Sequence, residues 1–171
     1  MILIRRRKGG ELASVETAEG YDLRKWEVLG PIPAGVDPML AVHEGGAIVN
    51  NLQVPRAERW RQVKERRAAA ELGGCMIAQG RIETSEASQR RLHTFVTQAI
   101  AQGEAFVPIA WKLADNRIAV LDAQAIVAAH LAAAGHVAAC HARAQELREM
   151  IGAAGSIEEI VAVDVDQGWP G

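Results

Sequence analysis

The feature that most limits how this chain can fold is the run from Ala123 to Ile151, which holds no proline, a single internal glycine and alanine in almost every turn. Asp122 stands before it as an N-cap. As a helix, some 29 residues would span roughly 44 Å. One row along it comprises Ile126, His130, Ala133, Val137, Cys140, Ala144, Leu147 and Ile151. The steps alternate between four and three, which is an a/d rhythm. Val127, Leu131, Ala134 and Ala138 widen the stripe. Gly135 costs about 1 kcal/mol relative to alanine inside a helix, so its presence predicts a close helix–helix approach.

Nothing else in the chain is as long. Leu92, Phe95, Val96, Ala99 and Ile100 recur at three- and four-residue spacing, predicting a helix over about 85–102 capped by Ser85 or Thr84. It leaves roughly 18 Å of the longer helix unmatched. That overhang must meet the helix predicted over 56–72, the N-terminal segment, or another subunit. The expectation is self-association, a trimer being one arrangement, or docking on a partner.

Hydrophobic residues make up 49% of the 171, but 31 are alanine. Leu, Ile, Val and Phe total 42, above the roughly one-fifth below which a chain reads as disordered. The core must therefore use many methyl-sized contacts. No run of heavy apolar residues reaches the 18 to 20 of a membrane span. Met1-Ile2-Leu3-Ile4 is apolar before it is charged, the reverse of a signal peptide. Cys75 and Cys140 cannot supply a disulfide framework. A net charge of −2 argues against a dedicated nucleic-acid binder.

Residues 1–53 differ from the rest. Pro31, Pro33, Pro38, Gly9-Gly10 and Gly45-Gly46 punctuate short β-like runs. They predict an extended, partly β arm serving as an attachment segment. Residues 54–171 read as a second, folded region. Pro55 suits the first turn of a helix that Gly73-Gly74 ends. Hairpins are predicted over 75–84, turning at Gln79-Gly80, and over 106–121, turning at Asp115-Asn116. Ser156-Ile157-Glu158-Glu159 is a capping-box signature for a short last helix. The fold class is α+β: a mainly helical bundle with two β-hairpins and the N-terminal arm.

Several motifs lie in order along residues 56–170. They are Trp60-x-x-Val63-Lys64-x-x-Arg67, Gly80-Arg81-Ile82-Glu83-Thr84-Ser85-Glu86-Ala87-Ser88-Gln89, Trp111-Lys112-x-Ala114-Asp115-Asn116, Asp122-Ala123-Gln124, and Asp164-Val165-Asp166-x-Gly168-Trp169-Pro170. Taken together they resemble an uncharacterised domain found at the C-terminus of bacteriophage and prophage tail, tail-fibre and tail-fibre-assembly proteins. Ser85 departs from that pattern, which has Asp there; both residues cap helices. The resemblance implies no catalytic residue, metal or cofactor. It implies a non-enzymatic structural or accessory component of a phage tail, at the tail tip, baseplate or fibre attachment. Such a protein is made in the bacterial host cytoplasm and ends in the virion tail, with other tail proteins as partners. The alternative it implies is a tail-fibre assembly chaperone absent from the mature virion.

Other chemistries find only partial residue sets in the chain. His136 and Cys140, four apart, could share a metal, with Cys75 or His93 helping; the simpler reading packs His130 and Cys140 on the seam and leaves His136 in solvent. No nucleophile elbow, P-loop or dinucleotide fingerprint occurs. Arg56, Arg59, Arg61, Lys64, Arg66 and Arg67 could meet phosphate, yet Glu58 and Glu65 interleave them. Trp60 and Trp111 are expected in the core. Asp115 and Asn116 are expected as turn residues, and Trp169 as a pin for the C-terminus. The residues expected to carry structure and interaction are thus Trp60, Trp111, Asp115, Asn116 and Trp169, with Ile126, Val137, Leu147 and Ile151 on the long helix.

Overall fold

The first strand starts from a run of apolar residues: Leu3 and Ile4 of β1 (Ile2–Arg6) point to opposite faces of the sheet and are both buried, while the run Arg6-Arg7-Lys8 leaves the sheet at the Gly9-Gly10 turn. The computed structural model describes residues 1–171. β1 is the central strand of an antiparallel sheet of order β2-β1-β3, with β2 at Leu12–Val15 and β3 at Trp26–Pro31. Pro31 ends β3 on an edge, where a missing donor is tolerated. A second hairpin pairs β4 (Ala41–Glu44) with β5 (Ala47–Asn50) around Gly45-Gly46. Both glycines have positive φ, +57° and +85°, as a type I′ turn requires. The segment expected as an arm is therefore a five-stranded β unit. Met1–Ala57 and Gly155–Ile157 form one compact unit; Glu58–Ala154 and Glu158–Gly171 form the other.

The second unit follows the predicted order of elements. Helix α1 runs over Gln53–Leu72, starting earlier than expected, with Pro55 still in its first turn. Strands β6 (Cys75–Ile77) and β7 (Gly80–Ile82) pair antiparallel. Their turn is Ala78-Gln79, because Gly80 pairs with Ile77 as a strand residue. Gly80 has φ +137°, and a Cβ there would lie 3.0 Å from Leu113. Helix α2 (Glu86–Gln102) is capped by Ser85, whose Oγ accepts from the Ser88 amide. Strands β8 (Ile109–Lys112) and β9 (Ile118–Leu121) form the next hairpin, with Pro108 just outside the ladder. Helix α3 (Ala123–Ala153) is capped by Asp122, which accepts from the Ala125 amide at 2.8 Å. Helix α4 (Ile157–Ala162) follows at the Ser156 signature.

The core forms where these elements converge. Ile82, Leu92, Leu121, Ile126 and Ala129 are wholly buried, with Cys75, Trp111, Leu113 and Ala133 around them. Alanine at 129 and 133 lets α2 and the hairpins approach α3 closely, and packing at that density is what makes small side chains effective core residues.

Candidate interaction surfaces

The buried row of α3 is Ile126, Ala129, Ala133, His136, Cys140, Ala144, Leu147 and Ile151. Two members differ from the expected row. Ala129 replaces His130, and His136 replaces Val137, which is half-buried. Leu131, Ala134 and Ala138 do not widen the row; they are exposed on another side of the helix.

The overhang beyond α2 is met by α1, which runs antiparallel to the second half of α3. His136 Nε2 donates to the Ala70 carbonyl at 2.9 Å. His141 Nε2 lies 3.1 Å from Glu71 Oε1, which also pairs with Arg67 at 3.1 Å. The Arg148 guanidinium sits 5.1 Å above the Trp60 ring. Trp60 is therefore half-buried under a cation and is not a core residue as expected. The overhang needs no second subunit to cover it.

The C-terminus of α1 carries no basic residue of its own in its last turn. Side chains from elsewhere satisfy its carbonyls, which a helix end leaves unpaired. His136 serves Ala70. Thr84 Oγ donates to the Glu71 carbonyl and accepts from the Gly74 amide at 3.0 Å. Arg81 donates to the carbonyls of Gly73 and Gly74, at 2.9 and 3.2 Å. Gly74, at φ +84°, is held against β7: a Cβ there would lie 2.5 Å from the Ile82 carbonyl oxygen. Sequence reading missed Thr84 and Arg81 in this role, although the Gly73-Gly74 stop marked where partners were needed.

The cationic face of α1 is largely engaged by the chain itself. Arg59 donates to the carbonyls of Val161 and Val163. Arg66 pairs with Asp166. Arg61 lies between Glu58 and Glu65, and its hydrogen bonds hold the Glu58 carboxyl down to about 2. From α3, Arg143 donates to the Gln167 carbonyl at 3.2 Å. Trp169 Nε1 donates to Val165 at 2.9 Å and folds the C-terminal residues back. The Asp164–Trp169 motif is thus the segment that α1 and α3 grip.

Trp111 is buried, edge-on to Phe95 with ring centroids 6.4 Å apart. Asp115 accepts from the Arg117 amide and pairs with its guanidinium at 2.6 Å, while Asn116 takes φ +68°. Both are turn residues. His136 and Cys140 do come together, Nε2 3.8 Å from Sγ, inside the α1–α3 contact. Burial pushes the thiols of Cys75 and Cys140 up, away from the thiolate that a nucleophile or metal ligand needs.

One surface has no such engagement. Ala99, Ile100, Ala123, Gln124, Val127, Ala128 and Leu131 line an open groove of about 430 Å³ between α2 and the first half of α3. Ile100 is 76% and Leu131 64% exposed. By length and composition α3 is also long and apolar enough to cross a membrane; here its buried row is the spine of the second unit.

No curated protein and no solved structure matches the chain significantly. A family model does, over residues 54–167, which runs from the first turn of α1 to Gln167, inside the gripped C-terminal motif. The chain belongs to the family described as Domain of unknown function (DUF4376).

Proposed function

We propose that this protein is a non-enzymatic structural or accessory component of a tailed-phage or prophage tail, acting at the tail tip, baseplate or fibre attachment through protein–protein contacts. The observation that carries the protein-contact part is the distribution of chemistry. Most of the arginines on α1, along with Arg81 and Arg143, are bonded within the chain, and both thiols are buried. Alongside them an apolar surface is left outward: the α2–α3 groove with Ile100 and Leu131. Exposed apolar surface of this kind marks an interaction site. The tail assignment rests on the ordered motifs from Trp60 to Trp169 that resemble the C-terminal domain of tail proteins.

Mass spectrometry of purified intact particles tests the reading. The expected result is this chain at a fixed number of copies per tail. Its absence from particles, with loss of fibres when its gene is deleted, would replace the component by an assembly chaperone. Normal particles after deletion would end both.

A further inference from the structure

Helix α3 carries a second row, diametrically opposite the buried one. Gln124, Ala128, Leu131, Gly135, Ala138, Ala142 and Gln145 are all exposed and step by four and three throughout. A strict seven-residue rhythm presents one straight seam to a partner helix. Over these three heptads the seam is about 32 Å long.

Gly135 sits at the middle of that seam. It lies within a 31-residue helix, and a Cβ there would meet nothing within 4 Å. The close approach that a helix-interior glycine implies is therefore made by no part of this chain. Leu131, one turn away, is the one large apolar side chain of the seam and is 64% exposed. The row also reads nearly the same in both directions about Gly135: Gln, Ala, Leu, Gly, Ala, Ala, Gln. No Asp, Glu, Lys or Arg occurs from Ala123 to Ala142.

We propose that this outer face is a two-fold interface, on which a second copy of the chain lays its own α3 antiparallel, with the axis beside Gly135. In that arrangement each seam residue meets a fitting one. The two Gly135 backbones face each other at the point of closest approach. Leu131 of each copy lies over Ala138 of the other, a large residue against a small one. Ala128 meets Ala142, and Gln124 meets Gln145, closing both ends with amides that can hydrogen-bond. A closed two-fold contact needs this self-complementarity, since one patch serves both sides. Absence of charge removes the like-charge repulsion that a two-fold axis otherwise creates. Ile100 and Val127 flank the seam and add apolar area. A bilayer is a poorer occupant, because interfacial helices oppose their apolar face with a basic one, and the face opposite this seam is the core row.

The inference stands apart from the tail reading and is tested on the full chain. Sedimentation at tens of micromolar is expected to give twice 18.4 kDa, unchanged between low and high salt. Leu131→Asp, at an exposed position, should give a monomer with an unchanged helical spectrum. Gly135→Ala should raise the melting temperature of the monomer yet weaken the dimer roughly tenfold or more, because two added methyl groups meet at the axis. Under mild oxidation Gly135→Cys should cross-link to itself. Gln124→Cys should cross-link to Gln145→Cys in a mixture but not to itself. A monomer at several hundred micromolar, a trimer, a dimer indifferent to Leu131→Asp, or a Gln124→Cys homodimer would each overturn the proposal. Flotation of a monomer with neutral vesicles, abolished by Leu131→Asp, would assign the face to lipid instead.

Discussion

His136, at the centre of α3, donates from Nε2 to the carbonyl of Ala70 in the last turn of α1, at 2.9 Å. The bond joins positions 66 residues apart and places a polar side chain in the row that otherwise holds only Ile, Ala, Cys and Leu. Because a carbonyl can only accept, the proton resides on Nε2. The bond supplies a cap that α1 cannot make from its own last turn.

Replacing this donor is expected to loosen the end of α1. His136→Leu keeps volume but not the hydrogen bond and should lower unfolding free energy by about 1–2 kcal/mol. Urea denaturation followed by circular dichroism measures it. His136→Gln, which retains an amide donor, should lose less. Equal losses for both variants would show that packing rather than the bond is what His136 contributes.

Thr84 is the second partner of the same helix end and is only 1% exposed. Its hydroxyl both gives and receives, bonding Glu71 and Gly74. Thr84→Val is nearly isosteric and leaves a buried carbonyl and amide unpaired, which costs about 1–3 kcal/mol. Amide exchange at Gly74 should accelerate in this variant beyond what the global loss accounts for. Unaltered protection there would contradict the cap.

The register of α3 is testable by adding volume. Ala129 is fully buried, whereas Ala139 is exposed. Ala129→Leu overpacks the core and should cost about 1–3 kcal/mol. Ala139→Leu should change stability by no more than about 0.5 kcal/mol. Leu147→Ala, at a wholly buried site, should cost about 2–5 kcal/mol. Thermal denaturation of the three variants ranks them, and the opposite order for the two alanines would overturn the register of the buried row.

These positions also mark what could be read from sequence. Local chemistry was legible: Ser85 and Asp122 cap the helices they precede, and Asn116 takes the left-handed turn. Both later hairpins follow from apolar runs broken by turn residues. The α3 row was misplaced at two steps because hydrophobicity favours Val137 over His136, and only the distant Ala70 carbonyl reverses that preference. The β4–β5 hairpin was signalled by Gly45-Gly46, but its four-residue strands hold too few heavy apolar side chains to stand out. Trp60 looked like core by size, and Arg148, 88 positions later, is what covers it. The grip of Arg59, Arg66 and Arg143 on the last residues rests on backbone carbonyls for Arg59 and Arg143, and those leave no trace in residue identity.

The buried thiols give the chain a defined response to alkali. Cys75 and Cys140 are held above their ordinary value of 9.0, both chiefly by burial, with Glu71 adding to the effect at Cys140. Below that value thiols are protonated in folded and unfolded chains alike, so neither contributes a pH dependence. Above it, the unfolded chain releases protons that the folded chain retains, and stability falls as pH rises. Urea midpoints measured between pH 8 and 10.5 should therefore decline, and a Cys75→Ala, Cys140→Ala double variant should decline less steeply from its own starting point. Under native conditions an aromatic disulfide reagent should label neither thiol at neutral pH, and both should react on unfolding. Rapid labelling of Cys140 in the folded protein would mean that the α1–α3 contact opens far more often than its capped helix end implies.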